Sequence, residues 1–271
     1  MAAAPARVQV EALIVPELDA GFRLLYELKL EEARAQFAVW QASHPEDPLG
    51  SASEAASYLF EECYRQGVLT SEFFLDNKRF LGKVAIKPDA EIRRGFFAAD
   101  LRAQELARLR LEKDPDDLNA LFAMTISLGM QADYVSLIEK HQLAGLGMIR
   151  QADTFANRLL ALNPDAADAY LALGFANYII GNLPGIKRFF LHFKGIGGDK
   201  ERGLQQLEIA AMKGHYLRPF AKIILAMAAV REKKIGMARN QLVELVAEFP
   251  RNPLFAEELA KLDRPPQAGI R

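Results

Sequence analysis

A pattern of small residues and prolines recurs along this chain in a fixed register. In four segments a small residue is followed by an apolar residue four positions later and by proline twelve positions later. The pairs of small residue and proline are Ala33 and Pro45, Ala103 and Pro115, Ala152 and Pro164, and Ala238 and Pro250. Proline biases the residue before it away from helical backbone, so each pattern indicates the end of a helix. Helix ends that recur in this way predict helix–turn–helix units stacked into a solenoid.

The rest of the chain agrees with an all-helical fold. No stretch alternates apolar and polar residues over the length of a strand, whereas apolar faces at helical spacing run throughout. With 271 residues and 51% hydrophobic composition the chain can bury a large core. We therefore expect one all-α domain over residues 1–271, a right-handed superhelical solenoid, with 1–12 disordered and 263–271 a frayed tail.

These residues resemble the tetratricopeptide repeat. Gly21 precedes Ala33 by twelve positions and Ala226 precedes Ala238 by twelve, as the small residues of that family do. The resemblance implies antiparallel helical hairpins in which the first helix of each unit lines a concave surface. The segment Gly181–Gly203 more weakly resembles the eukaryotic tetratricopeptide repeat protein thirty-nine group, and it is also similar to bacterial exported repeat proteins. Neither of these resemblances implies a catalytic site.

The spacing of the prolines predicts two insertions. The interval from Pro45 to Pro115 is 70 residues, which fits two units of about 34 residues. The interval from Pro115 to Pro164 is 49 residues and that from Pro164 to Pro250 is 86. The excess residues fall near 131–145 and 181–199, and insertions in a solenoid form loops that often border the binding face.

Three local patterns predict where helices begin. Ser51 and Glu54 have the spacing of a capping box. The stretch Gly145-Leu146-Gly147 predicts a break before a helix over 148–162. Asp199 is expected to cap a helix over 200–213, after a glycine-rich turn.

The composition excludes several classes of function. A formal net charge of −1 provides no basic field for nucleic acid. The four histidines have no metal-ligand spacing, and neither a phosphate loop nor a nucleophile elbow is present. Cys63, the single cysteine, is expected to be a buried free thiol. We therefore expect no enzyme activity, no cofactor and no metal.

The sequence does not determine the cellular compartment of the protein. Residues 1–7 lack a basic and an apolar region, so they predict no signal peptide, although an alanine-rich start is compatible with an export signal encoded upstream. The expectation is a soluble protein, cytoplasmic by default and periplasmic if such a signal exists. The longest uninterrupted apolar run, Ile223–Val230, is far shorter than the roughly 20 residues of a membrane span.

The predicted function is a non-catalytic scaffold that binds a protein or peptide partner, an apolar peptide or helix, in the concave groove. The alternative is a small-molecule or lipid-binding protein whose groove is roofed by the insertions. A third possibility is that the chain's own insertions fill the groove and extend the core. The groove candidates are aromatic or aliphatic and fall on the first helices: Phe22, Tyr26, Phe122, Ile126, Phe175, Tyr178, Phe220, Ile223 and Met227.

The second insertion carries a separate candidate surface. Residues 185–203 contain five basic and two acidic residues with phenylalanines between them. Such a segment could dock on an anionic partner or membrane surface, or it could pack its phenylalanines onto the solenoid and leave its cations solvated. The candidates are Lys187, Arg188, Phe189, Phe190, Phe193 and Lys194.

Overall fold

A computed structural model describes residues 15–80, 87–182 and 197–263. These residues contain thirteen α-helices and no strand, which confirms the all-α prediction. The helices are α1 (Pro16–Tyr26), α2 (Leu30–Ser43), α3 (Pro48–Arg65), α4 (Ser71–Leu75), α5 (Asn77–Phe80), α6 (Ala90–Lys113), α7 (Leu118–Asp133), α8 (Gln142–Leu162), α9 (Ala169–Gly181), α10 (Lys200–Lys213), α11 (Arg218–Arg231), α12 (Ile235–Glu248) and α13 (Pro253–Leu262).

Helices that follow one another in the sequence generally pack against each other. Hairpins form between α1 and α2, α7 and α8, α9 and α10, and α11 and α12, and α3 packs on α6 beyond the short helices α4 and α5. The small residues of the repeated pattern lie where these helices meet. Ala33, Ala103, Ala152 and Ala238 are at most 2% exposed. Small residues at these positions let neighbouring helices approach closely, which explains why the pattern marks the hairpins.

Acidic and amide side chains begin several of the helices. Asp199 Oδ1 accepts a hydrogen bond of 3.0 Å from Arg202 N, as predicted for a helix start. The prediction for Ser51 is wrong: α3 begins earlier, with Asp47 as its cap and Pro48 at its first position. Proline is favoured there because the first helical N–H has no partner within the helix. Ser51 lies inside the helix and is buried.

The predicted break at Gly145-Leu146-Gly147 is also wrong. The helix α8 runs without interruption from Gln142 to Leu162. A Cβ atom at position 145 would lie 2.1 Å from Ser136 Oγ and 3.2 Å from the carbonyl oxygen of Ala132. Gly145 is therefore required for close packing of α8 on the end of α7, and it does not mark a turn.

The two ends of the helical array touch each other. Tyr26 Oη, at the end of α1, donates a hydrogen bond of 2.8 Å to the carbonyl oxygen of Tyr216, just before α11. Asn252 Nδ2, before α13, donates one of 2.8 Å to the carbonyl oxygen of Tyr26. The backbone N–H of Ser71 donates to the buried carboxylate of Glu258 at 3.1 Å. We call these contacts the closing seam, since they join elements about 190 or more residues apart in sequence.

One described stretch has the length and composition of a membrane span. It covers Leu118–Ile138, 21 residues with a mean hydropathy of 1.3, and 67% of its most apolar window is buried inside the protein. Its side chains therefore belong to the core of the helical array.

Some predictions fall outside the described residues. These are the disordered start, the tail from 264 onward and the candidate insertion surface of Lys187, Arg188, Phe189, Phe190, Phe193 and Lys194.

Candidate functional site

An apolar cavity of about 400 Å³ lies between the inner faces of α1, α3, α5, α7, α8, α9 and α11. Its volume is within the range of about 300–1,000 Å³ typical of small-molecule sites. Part of its wall is a chain of aromatic rings. Phe60 of α3 stands edge-on to Tyr26 of α1 and to Phe220 of α11, with ring centroids 5.5 and 5.3 Å apart. Edge-to-face contacts of this kind hold the rings in fixed orientations.

Five of the nine predicted groove residues line this cavity: Phe22, Tyr26, Ile126, Phe175 and Phe220. They come from four helices that are distant in sequence, so only the fold brings them together.

The other four predicted groove residues do not line it. Phe122, Tyr178, Ile223 and Met227 are at most 3% exposed and belong to the packed core. The helix α9 shows the reason. A Cβ atom at Gly203 of α10 would lie 2.5 Å from the backbone nitrogen of Tyr178, so this side of α9 packs directly on α10. Sequence reasoning placed Phe175 and Tyr178 on one face, but only Phe175 turns toward the cavity.

The wall also contains small and aliphatic residues that the sequence analysis did not select. On α9, Ala172, Ala176 and Ile179 line the cavity beside Phe175. They follow the spacing of three and four residues that defines one helical face. This spacing could have identified the three residues from the sequence, but the prediction considered mainly large aromatic residues and therefore missed them.

Asp168 is a carboxylate at the edge of the cavity, and the fold uses it structurally. Its oxygens accept hydrogen bonds from three successive backbone N–H groups, those of His215, Tyr216 and Leu217, at 2.8, 2.9 and 3.1 Å. Burial raises the pKa of this carboxyl, and the three hydrogen bonds act in the opposite direction. Asp168 therefore fixes the turn before α11.

Asp133 and Asp153 differ from Asp168 because their carboxyls lack such support. No described residue donates a hydrogen bond to the Asp133 carboxyl, and burial raises its pKa to about 8. Asp153 Oδ1 is buried without a hydrogen-bond partner among the described residues. Burial raises the pKa of Asp153 to about 6, and the charge of Arg202 opposes that rise. Both side chains line the cavity.

The backbone changes its winding next to Asp133. Residues Tyr134–Ile138 form one turn of π-helix directly after α7. Turns of this kind are rare and occur often at functional sites. Here Ser136 and Leu137 face the cavity together with Asp133, while Tyr134 is fully buried and stacks on Phe96 with ring centroids 4.6 Å apart.

Other reactive groups of the described residues have structural surroundings. Burial raises the pKa of the Cys63 thiol far above its usual range, which keeps it protonated and unreactive. His215 Nε2 lies 2.6 Å from Asp19 Oδ1 at the closing seam. No group of three or more His, Cys, Asp or Glu side chains in the described ranges could hold a metal ion.

Comparison with known proteins adds no assignment: no family model matches the chain, and no curated protein matches it. The fold and the site define an all-helical protein with repeat-like packing and an internal apolar cavity.

Proposed function

We propose that this chain is a non-catalytic binding protein that holds a small apolar molecule or an acyl chain in its internal cavity. The observation that carries the proposal is the convergence of apolar side chains from seven helices around about 400 Å³ of space. A void of that size costs stability because its lining loses contacts, and a bound apolar ligand restores them.

We also propose that the hairpins form a tetratricopeptide-like right-handed superhelix with the cavity on its concave side. The repeated small residues at the helix interfaces support this architecture, as does the position of Phe22, Ile126 and Phe175 on first helices of hairpins. The closing seam then holds the first and last hairpins together, which narrows the concave surface to a cavity.

A peptide or helix in the same space is the second candidate, and the scaffold role would follow from it. It is favoured by the same five groove residues at the cavity wall. Size argues against it. A helix with side chains is about 10–12 Å across, so it needs far more room between the walls than a small ligand does. A longer helical segment would require the walls to separate, whereas a small ligand would not.

The cavity can be tested by filling it. Ala172 lines the cavity opposite Gly129, whose added Cβ would lie 4.0 Å from that of Ala172. We expect Ala172→Trp to place an indole in the empty space and to reduce affinity for the neutral fluorescent probe N-phenyl-1-naphthylamine at least tenfold. The matched control is Ala38→Trp on the exposed face of α2, where the same substitution should leave probe affinity unchanged.

Two outcomes would contradict the proposal. One is failure of the wild-type protein to enhance the probe's fluorescence. The other is a folded Ala172→Trp variant, with unchanged circular dichroism, that binds the probe as the wild type does. Native mass spectrometry of the gently purified protein separates the candidates further, since a retained small mass supports the cavity and a retained peptide supports the scaffold.

A further inference from the structure

We infer that the cavity selects an apolar ligand that carries a protonated amine, and that the Asp133 carboxylate receives this amine. The inference rests on the proposed function and specifies the chemical class of its ligand. It depends on three observations: an unpartnered carboxyl at the wall, the sign of the charge around the cavity, and the local backbone that presents this carboxyl.

The first observation is that Asp133 has no partner of its own. It ends α7 and precedes the π-helical turn, and its side chain makes no capping hydrogen bond there. Asp133 is partly exposed at the cavity, and a carboxyl in such apolar surroundings is poorly solvated when no donor reaches it. Because the cavity is the space that this side chain borders, a ligand group placed there can supply the missing donor.

The second observation is that the polar part of the described wall is acidic. Asp133, Asp153 and Asp168 line the cavity, and none of its described lining residues is Lys, Arg or His. Asp168 is occupied by its three backbone N–H groups, so Asp133 and Asp153 are the carboxyls left for a ligand. In their ionised form the carboxyls of this wall favour a cation and oppose the carboxylate of a fatty acid.

The groups that face Asp133 do not compensate its charge. From α3 the neighbour is the protonated thiol of Cys63, whose own pKa is raised partly by Asp133. Glu62, next to it, already pairs with Arg65 at 2.7 Å.

The third observation is the geometry of the turn. The π-helical turn after α7 places Ser136 and Leu137 at the cavity beside Asp133, the last residue of α7, while Tyr134 remains in the core. The carboxyl is thus placed beside a hydroxyl and an aliphatic side chain. This arrangement suits an ammonium group attached to an apolar body, since the body can lie against the aromatic wall of Phe60, Tyr26 and Phe220.

The number of protons released when the amine binds is a measurable consequence of this inference. At pH 7 a carboxyl with a pKa of about 8 is about 90% protonated. An ammonium ion pairs with the ionised form, so its binding requires the carboxyl to lose its proton to solvent. We expect most of one proton to be released per amine bound at pH 7, and an affinity that rises as the pH rises from 6 toward 8.

The test compares three ligands with the same ten-carbon chain: decylamine, decanol and decanoate. Titration calorimetry at pH 7 in two buffers of different ionisation enthalpy measures affinity and proton release together. We expect decylamine to bind at least tenfold more tightly than decanol, decanoate to bind most weakly, and only decylamine to release a proton. In Asp133→Asn the advantage of decylamine should fall to threefold or less and the proton release should vanish, with decanol affinity unchanged. Asp165→Asn, an exposed substitution in the loop before α9, is the matched control.

Each outcome has one meaning. Equal binding of the three ligands, or tighter binding of decanoate, overturns the amine inference and leaves the proposed function standing. Failure of all three to bind, together with failure of the fluorescent probe, removes both. If Asp133→Asn still binds the amine selectively, another group provides the negative charge and the proposed role of Asp133 is wrong. If that variant does not fold, the wild-type proton release and ligand order still decide the inference.

Discussion

Replacement of Asp168 by alanine should destabilise the protein strongly, because one buried side chain organises the closing seam. Its two oxygens accept hydrogen bonds of 2.8, 2.9 and 3.1 Å from the backbone N–H groups of residues 215–217. The turn so held presents Tyr216, whose phenolic oxygen accepts a hydrogen bond of 2.6 Å from Val15 N and whose ring lies 4.8 Å from that of Phe22. Asp168→Ala leaves three N–H groups without their acceptor and frees this turn.

The magnitude follows from the number of bonds. A hydrogen bond to a charged group contributes about 1.5–3 kcal/mol, so three contribute about 4.5–9 kcal/mol. Burial of the carboxyl, which raises its pKa, offsets part of this. We expect the free energy of unfolding to fall by about 3–5 kcal/mol, as is found when a buried network loses one member. At about 2–3 °C per kcal/mol for a chain of this size, Tm should fall by about 6–15 °C.

Thermal and urea unfolding followed by circular dichroism measure this loss. Asp165→Ala, three residues earlier on the exposed surface, is the matched control and should change the unfolding free energy by less than about 0.5 kcal/mol. Asp168→Asn keeps one carbonyl acceptor and should fall between the two. A drop below about 1 kcal/mol in Asp168→Ala would show that the turn before α11 is held by other contacts.

Two further predictions concern packing and pH. Gly145→Ala should lower the free energy of unfolding in urea by about 1–3 kcal/mol, because the new Cβ meets Ser136 Oγ at 2.1 Å. Gly147→Ala is the control: its Cβ meets nothing within 4 Å, and it should raise the free energy of unfolding by about 0.5–1 kcal/mol. Equal effects of the two substitutions would contradict the packing role of Gly145. Burial raises the pKa of Asp100 from 3.8 to about 7. Between pH 4 and 7 the folded state therefore keeps a proton that the unfolded state loses. The free energy of unfolding should fall over this range by up to about 1.4 kcal/mol per pH unit. Asp100→Asn retains an acceptor for Gln104 Nε2, so it should remove this pH dependence of the free energy of unfolding and be more stable than the wild type above pH 6. Parallel curves of unfolding free energy against pH for the two proteins would show that Asp100 is not the group responsible.

The sequence predicted the helices well because their signals are local. Apolar spacing, prolines and capping side chains act within a few residues, so the bounds of α10 were predicted closely. The two errors have the same origin. Ser and Gly are residue types typical of helix ends, but in this fold Ser51 and Gly145 lie where helices pack closely, which local rules do not describe.

The cavity was predicted only in part. The helical spacing of apolar residues in the first helix of each hairpin was enough to predict that Phe22, Ile126 and Phe175 face inward. It could not separate the cavity from the interfaces between neighbouring helices, and for that reason Tyr178 and Met227 were selected as well. The acidic wall was missed completely, since Asp133 and Asp153 look like ordinary helical carboxylates until the structure shows what surrounds them.

An all-helical chain with small residues and prolines in register could be predicted from the sequence, because helix formation and helix ends depend on neighbours along the chain. Three features required the folded structure: the first and last hairpins meet, their inner faces border a partly open apolar space, and the Asp133 carboxyl lines that space with no donor among the described residues. Those facts depend on contacts such as Tyr26 with Tyr216, 190 residues apart, whose geometry no local pattern encodes.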